Sequence, residues 1–315
     1  AEAIESARRT IARCLGDIDP DQIIFTGSAT ESNNAALFGT VHANPERRHV
    51  ITTTIEHPSV LEIGKELERR GQEVTFLSVD RNGELVLDEY VKALRSDTLV
   101  VSIMMANNET GVCYPVAEMA RIAKETDAEI VVHTDATQAL GKLPVDLQGD
   151  LQHVDLLSFS GHKIHAPKGV GCLFVRRGTR WRPFILGGHQ EKGRRAGTEN
   201  VPYIVGLAKA CELAIDGVAD EQGRVRNLRD RLQKALIERI RAHTERGVRV
   251  RILTNSLETT NQPMVHAAYQ DWRPRLIRAG VELHELRGDA WHRTHYQSPG
   301  SAAERLGLHA KSSVF

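Results

Sequence analysis

Several features that would point to a partner or a compartment are missing from this chain. There is no surplus of charge of either sign: Lys and Arg total 41, and Asp and Glu total 41. That balance speaks against a nucleic-acid or membrane partner. No apolar run is long enough to span a bilayer, and no leader-peptide pattern occurs. The four cysteines, Cys14, Cys113, Cys172 and Cys211, lie far apart with no C-x-x-C pair. Their scatter speaks against a zinc site and for reduced thiols in a cytoplasmic protein. Internal repeats and low-complexity linkers are absent as well. What remains is a 315-residue chain, long enough for a large α/β domain and a partial second one. It opens inside a helical pattern, AEAIESARRTIARCL, and stops without a helix or turn signal, so both ends read as cut.

From Gln22 to Arg176, short β-branched runs alternate with amphipathic helical stretches. The expected strands are 22–26, 49–55, 73–79, 98–104, 129–135, 155–160 and 170–176. ESNNAALFGTVHA follows the first as a helix, and PSVLEIGKELERRG follows the second. This is the signature of an α/β fold with a mostly parallel seven-stranded sheet and helices on both faces. The short link between the last two strands allows an antiparallel pair. Two more helices are expected near 200–216 and 222–241. Beyond residue 240 the character changes to a small α/β fragment: GVRVRILTNSL as strand and turn, AAYQDWRPRLIRAG as a helix kinked or begun by Pro274, and VELHELR as strand. Residues 241–315 carry 11 Lys and Arg against 7 Asp and Glu.

Ligands of open α/β sheets bind beyond the carboxyl ends of the strands, and four polar clusters fall at such positions. TGSATESNN follows the first strand. Its small residues and immediate helix start suit a phosphate at a helix N-terminus; taken alone, the segment reads first as an ordinary cap by Ser28 or Thr30. HTDATQ places the carboxylate of Asp135 on a crevice floor, where it can keep a heterocyclic nitrogen protonated; a helix-capping Asp is the alternative. SFSGHKIHAPKGVG sets Ser160, His162 and Lys163 after a buried strand. Lys163 reads either as an amine nucleophile or as a solvated loop lysine. GGHQEKGRRAGTEN, taken alone, reads as a basic surface loop. Together, a phosphate cup, an acid for a ring nitrogen and a crevice lysine are what pyridoxal 5′-phosphate (PLP) chemistry needs.

SATESNN, EHPSV, NNETG, HTDATQALGK, SFSGHKIHAPKGVG and GGHQEKGRRAGTEN resemble the class V aminotransferase family, and within it the cysteine desulfurases, from the start to about residue 240. The resemblance implies the large domain of a fold type I PLP-dependent transferase over residues 1–240. It implies that Lys163 is the Schiff-base lysine, and that Ala29, Thr30, Ser160 and His162 hold the phosphate. Asp135 would pair with the pyridine nitrogen, and Asn108 and Gln138 would contact the ring hydroxyl. His57 would stack on the ring and, with Lys163, move protons. Thr198 would reach a phosphate in the partner subunit, which implies a homodimer. The implied substrate is L-cysteine, converted to L-alanine while sulfur passes to an enzyme cysteine. An iron-sulfur scaffold or other sulfur-acceptor protein would follow.

The chain departs from that pattern. The family's loop cysteine and its carboxylate-binding arginine are expected after residue 240 and are not found there, so impaired sulfur transfer is expected. Cys113, after NNETG, reads as a packing residue. Residues 241–315, ending in LGLHAKSSVF, resemble instead a partial phospholipase D superfamily segment, with His309 and Lys311 fitting an H-x-K motif. Phosphodiesterase activity is not expected of a single partial motif.

Overall fold

The computed structural model describes residues 1–80, 83–255 and 272–286. The chain divides into two compact units, Ala1–Asp80 with Glu84–Gly223, and Arg81–Gly83 with Arg224–Phe315.

The first unit is built on seven strands: β1 (Ile23–Thr26), β2 (His49–Thr53), β3 (Glu73–Leu77), β4 (Thr98–Ser102), β5 (Val131–Asp135), β6 (Leu156–Ser160) and β7 (Gly171–Val175). Their spatial order is β1-β7-β6-β5-β4-β2-β3. Every residue of β1, β2, β4, β5 and β6 is buried, as a sheet covered on both faces requires. The β2–β3, β2–β4, β4–β5 and β5–β6 pairs are parallel, and β7 runs antiparallel to both β6 and β1. One strand alone is therefore reversed. The antiparallel β6–β7 pair follows from the short link between them; the pairing of β7 with β1 was not expected from the sequence.

This arrangement fixes where a ligand can sit. The carboxyl ends of six strands and the amino end of β7 share one edge of the sheet. Helices α2 (Ala29–Ala43) and α3 (Pro58–Arg69) begin from that edge directly after β1 and β2. They bury Ala35, Ala36, Leu37, Phe38, Val60, Ile63 and Leu67 in one cluster with Ile24, Val50, Leu99, Val100, Val131, Leu156 and Leu173 from the sheet. Helix α1 (Glu2–Cys14) presents Ile4, Ala7, Arg8, Ile11 and Ala12 inward on helical spacing and packs on α6 (Val201–Asp216). Helices α4 (Leu87–Ala93) and α5 (Val116–Thr126) flank β4 in sequence.

Helix α7 (Val218–Glu245) runs four residues past its expected end at 241. In the second unit, β8 (Arg251–Asn255) and β9 (Glu282–Leu286) pair in parallel, Arg251 opposite Glu282. Helix α8 (Arg273–Arg278) precedes β9, and Pro274 lies in its first turn, where the missing N–H costs nothing. Of the phospholipase D-like segment, His309 and Lys311 lie outside the described residues. Among the described residues, no helix is long and apolar enough to cross a membrane.

Candidate active site

Five turns at the shared sheet edge enclose a cavity of about 160 Å³. Ser28, Ala29 and Thr30 enter it after β1, and His57 and Ser59 after β2. Met104, Ala106 and Asn108 come after β4, Asp135, Thr137 and Gln138 at β5, and Ser160, His162 and Lys163 at β6. The structure thus brings together Ala29, Thr30, His57, Asn108, Asp135, Gln138, Ser160, His162 and Lys163, nine residues named from the sequence. Thr198, the tenth, lies exposed between the one-turn helix Gln190–Gly193 and α6, and does not line this cavity.

One wall is the start of α2. Ser28 is its N-cap, in extended conformation, with Oγ accepting the Glu31 N–H at 3.3 Å. A helix leaves its first N–H groups without intrahelical acceptors, and Ala29 and Thr30 supply such groups at the cavity. The same end carries the positive pole of the helix. Gly171 of β7 makes the turn possible. A Cβ there would lie 2.6 Å from the Ser28 carbonyl carbon and 2.9 Å from the Phe159 oxygen.

The floor is Asp135, buried at the end of β5. Its Oδ1 accepts the Thr137 N–H at 2.9 Å, and its Oδ2 accepts Asn33 Nδ2 at 2.8 Å. Among the described residues no helix starts directly after Asp135, so the Thr137 contact closes a turn rather than capping a helix. Asn33 is fully buried, and the same Nδ2 donates to Ser59 Oγ at 2.9 Å. Ser59 lies 2.8 Å from Nδ1 of His57 by its hydroxyl and 3.1 Å by its N–H, with His57 as the N-cap of α3. Beneath Asp135 on the same strand, His133 bridges Ser102 Oγ (2.8 Å) and Ser158 Oγ (3.0 Å). Burial lowers its pKa to about 4, against the opposing pull of Asp135.

Lys163 and His162 follow β6 in a one-turn helix, Gly161–Ile164, closed by His165 in the left-handed region at φ 66°. Lys163 is exposed at the cavity. Ser160 Oγ lies 2.8 Å from His162 Nδ1. Burial and then the ammonium groups of Lys163 and Lys168 hold the His162 imidazole below its ordinary pKa. In the NNETG turn the two asparagines divide the work. Asn107 is buried and ties the turn, its Oδ1 accepting from the N–H groups of Glu109 (2.9 Å) and Thr110 (3.0 Å). Asn108 is exposed at the cavity. Cys113 is exposed too, which corrects its reading as a packing residue.

Sequence reasoning missed several residues here. Thr137 lines the cavity with its Oγ1 buried and without a hydrogen-bond partner among the described residues. Ser59 and Asn33 link two predicted residues through space. Glu31 accepts Gly27 N–H (2.8 Å) and Arg195 Nε (2.8 Å), tying the start of α2 to the GRRAGTEN loop. Glu191, in the one-turn helix that precedes this loop, makes a two-pronged ion pair with Arg8 at 2.8 Å for each bond, both side chains buried. The only sequence signal for such pairs was charge inside otherwise apolar or glycine-rich runs.

The site suits PLP by its own chemistry. It offers free helix N–H groups for a phosphate, a buried carboxylate for a ring nitrogen, a primary amine, and an unpartnered hydroxyl in the wall. An α/β sheet with a ligand crevice at its carboxyl edge is the class of protein defined so far. The aminotransferase class-V family profile matches residues 1–287, and the chain belongs to that family. It is similar to a cysteine desulfurase of Nostoc sp., 49% identical over 239 residues, which are 76% of this chain and 58% of that protein. Among solved structures, a NifS-like protein matches with a TM-score of 0.73 at 42% identity, covering 75% of this chain and 64% of that one. SspA in complex with cysteine matches with a TM-score of 0.63 at 41% identity, covering 67% and 60%. The chain spans less than two thirds of the length of each of these relatives.

Proposed function

We propose that the chain binds PLP at this cavity and acts on L-cysteine as part of a cysteine desulfurase. L-Alanine would be released and the sulfur passed to an enzyme cysteine for iron-sulfur cluster or thio-cofactor assembly. The observation that carries the proposal is convergence: Lys163, Asp135 and the N-terminus of α2 come from three separate turns and meet at one cavity. The likeness to SspA in complex with cysteine supports the choice of substrate.

When bound, PLP supplies an electron sink for the substrate's α-carbon. The chain's residues do the rest. Lys163 holds the cofactor through its amine and, with His57, carries protons. Ala29, Thr30, Ser160 and His162 hold the phosphate. Asp135, fixed by Asn33 and the Thr137 N–H, keeps the ring nitrogen protonated, while Asn108 and Gln138 contact the ring hydroxyl. Thr198 serves the site of a partner subunit, so the working form is a homodimer, placed in the cytoplasm. No cysteine lines the cavity among the described residues, so persulfide formation by this chain is expected to be weak. Residues 241–315 are proposed as a partial phospholipase D-like segment, supported by the parallel β8–β9 pair and with no activity assigned. The family profile overlaps them as far as residue 287.

The test is optical and calorimetric. The purified chain should gain visible absorbance with PLP, and its melting temperature should rise with PLP concentration. Lys163→Ala should abolish the absorbance. A wild-type chain that stays colourless at saturating PLP overturns the proposal. Rapid sulfide release from L-cysteine in the presence of a thiol reductant would overturn the expected weakness.

A further inference from the structure

We infer that Ser59, held by Asn33 and through it by Asp135, sets which ring nitrogen of His57 carries the proton, and that this nitrogen is Nε2. The inference rests on the reading of this cavity as the site where His57 moves protons. Its ground is four hydrogen-bonding contacts and a count of hydrogens.

The Asp135 carboxylate can only accept, so the Asn33 amide must turn its NH2 toward it. That Nδ2 lies 2.8 Å from Asp135 Oδ2 and 2.9 Å from Ser59 Oγ. Its two hydrogens are both used, one on each partner. Asn33 Oδ1 is buried without a partner among the described residues, so turning the amide round would satisfy nothing and would set oxygen against carboxylate. Ser59 Oγ, having accepted from Asn33, keeps one hydrogen and one lone pair, so the Ser59 backbone N–H, which can only donate, decides the direction. His57 Nδ1 lies 2.8 Å from this Oγ. The Ser59 N–H points to the same nitrogen at 3.1 Å. Two donors on Nδ1 require a lone pair there, and the hydrogen of the neutral ring goes to Nε2.

Asn33 and Ser59 are positioning residues in this scheme, acting through His57. The relay makes His57 a donor through Nε2. It disfavours Nδ1 as a landing place for a proton, and losing either Ser59 contact weakens that bias.

The test uses the full chain without PLP, isotopically labelled, and reads the ring nitrogens of His57 and the side-chain amide of Asn33 by NMR near neutral pH. Wild type should show one tautomer, with hydrogen on Nε2, and both Asn33 Nδ2 hydrogens in hydrogen bonds. Ser59→Ala should draw the two ring-nitrogen shifts toward each other as the second tautomer becomes populated. It should also release one Asn33 hydrogen. Ser59→Thr, which keeps the hydroxyl, should restore the wild-type pattern. Hydrogen on Nδ1 in wild type overturns the inference, and so does a Ser59→Ala spectrum unchanged at both residues. If Ser59→Ala does not fold, the wild-type ring and amide signals decide alone. A chain that PLP fails to colour overturns the proposed function and leaves these spectra as they are.

Discussion

Glu56 stands one residue before His57 and is buried to 4% exposure, yet its hydrogen bonds come from neutral donors alone. Its Oε1 accepts the Met104 N–H at 2.8 Å and the Thr53 hydroxyl at 2.9 Å, and its Oε2 has no partner among the described residues. Burial pushes its pKa up to about 8 against those two donors, and the nearby Asp135 charge adds to the rise. A carboxyl whose folded pKa is raised binds its proton more tightly when folded than when unfolded. Its contribution to stability is then fully present below the ordinary value of about 4.5 and is lost as pH rises toward 8. Glu56→Gln keeps the acceptor and cannot ionise. We expect the variant and wild type to melt alike near pH 4.5. At pH 8 the variant should be more stable by a few kcal/mol, since each tenfold change in proton affinity is worth about 1.4 kcal/mol. Thermal melts at the two pH values check this, and an equal gap at both would refute it. None of this was legible in EHPSV, where Glu56 reads as an ordinary polar residue before a helix. Its cost arises from burial and then from Asp135, both of which depend on chain supplied much later. Ser59 and Asn33 were hidden for the same reason.

At the scale of elements, the strands were legible because burial on both faces forces nearly continuous β-branched runs. VVHTD and LLSFS could hardly be anything else once flanked by turn residues. The reversal of β7 was legible from its short link to β6. Its second partner was not, because β1 lies at the other end of the unit in sequence and nothing in IIFT names a neighbour. The register of that pair has a consequence for the cavity. It sets Gly171 opposite Thr26, beneath the turn that starts α2. Gly171→Ala would drive a methyl into the backbone of Ser28 and Phe159, not into a flexible side chain. We expect a loss of about 1–3 kcal/mol, typical of overpacking. PLP affinity should weaken as well, since the displaced backbone is the proposed phosphate cup. Urea unfolding and PLP titration by absorbance measure the two effects. A stable variant with unchanged PLP affinity would show that the cup does not depend on this contact.

Across the whole molecule, the first helix and the GGHQEKGRRAGTEN segment meet only in space. Arg8 sits on the apolar stripe of α1, 4.9 Å over the Phe25 ring, and reaches both Glu191 and the Ile23 carbonyl at 2.6 Å. Glu191 also accepts the Phe25 N–H at 3.0 Å. Arg8→Met leaves a buried carboxylate without its cation and should cost roughly 3–5 kcal/mol. The Arg8→Met, Glu191→Met double variant should recover part of that loss. The remaining deficit, on the order of 1–3 kcal/mol, reflects the Phe25 N–H left unsatisfied. Chemical denaturation of the three chains checks the ordering, and a double variant less stable than Arg8→Met would contradict it. The site loops were legible because they are long and specific. The clamp was not, since a lone Arg in an amphipathic stripe looks like any surface arginine.

That clamp also changes what the outer edge of the sheet can do. β1 ends the sheet, and an end strand offers its free N–H and C=O groups to any extended segment that comes by. Here Glu191 occupies the Phe25 N–H, while Arg8 and Arg194 occupy the Ile23 oxygen. Two of the groups a foreign strand would need for pairing are thus already held by charged side chains, which opposes templated growth from β1.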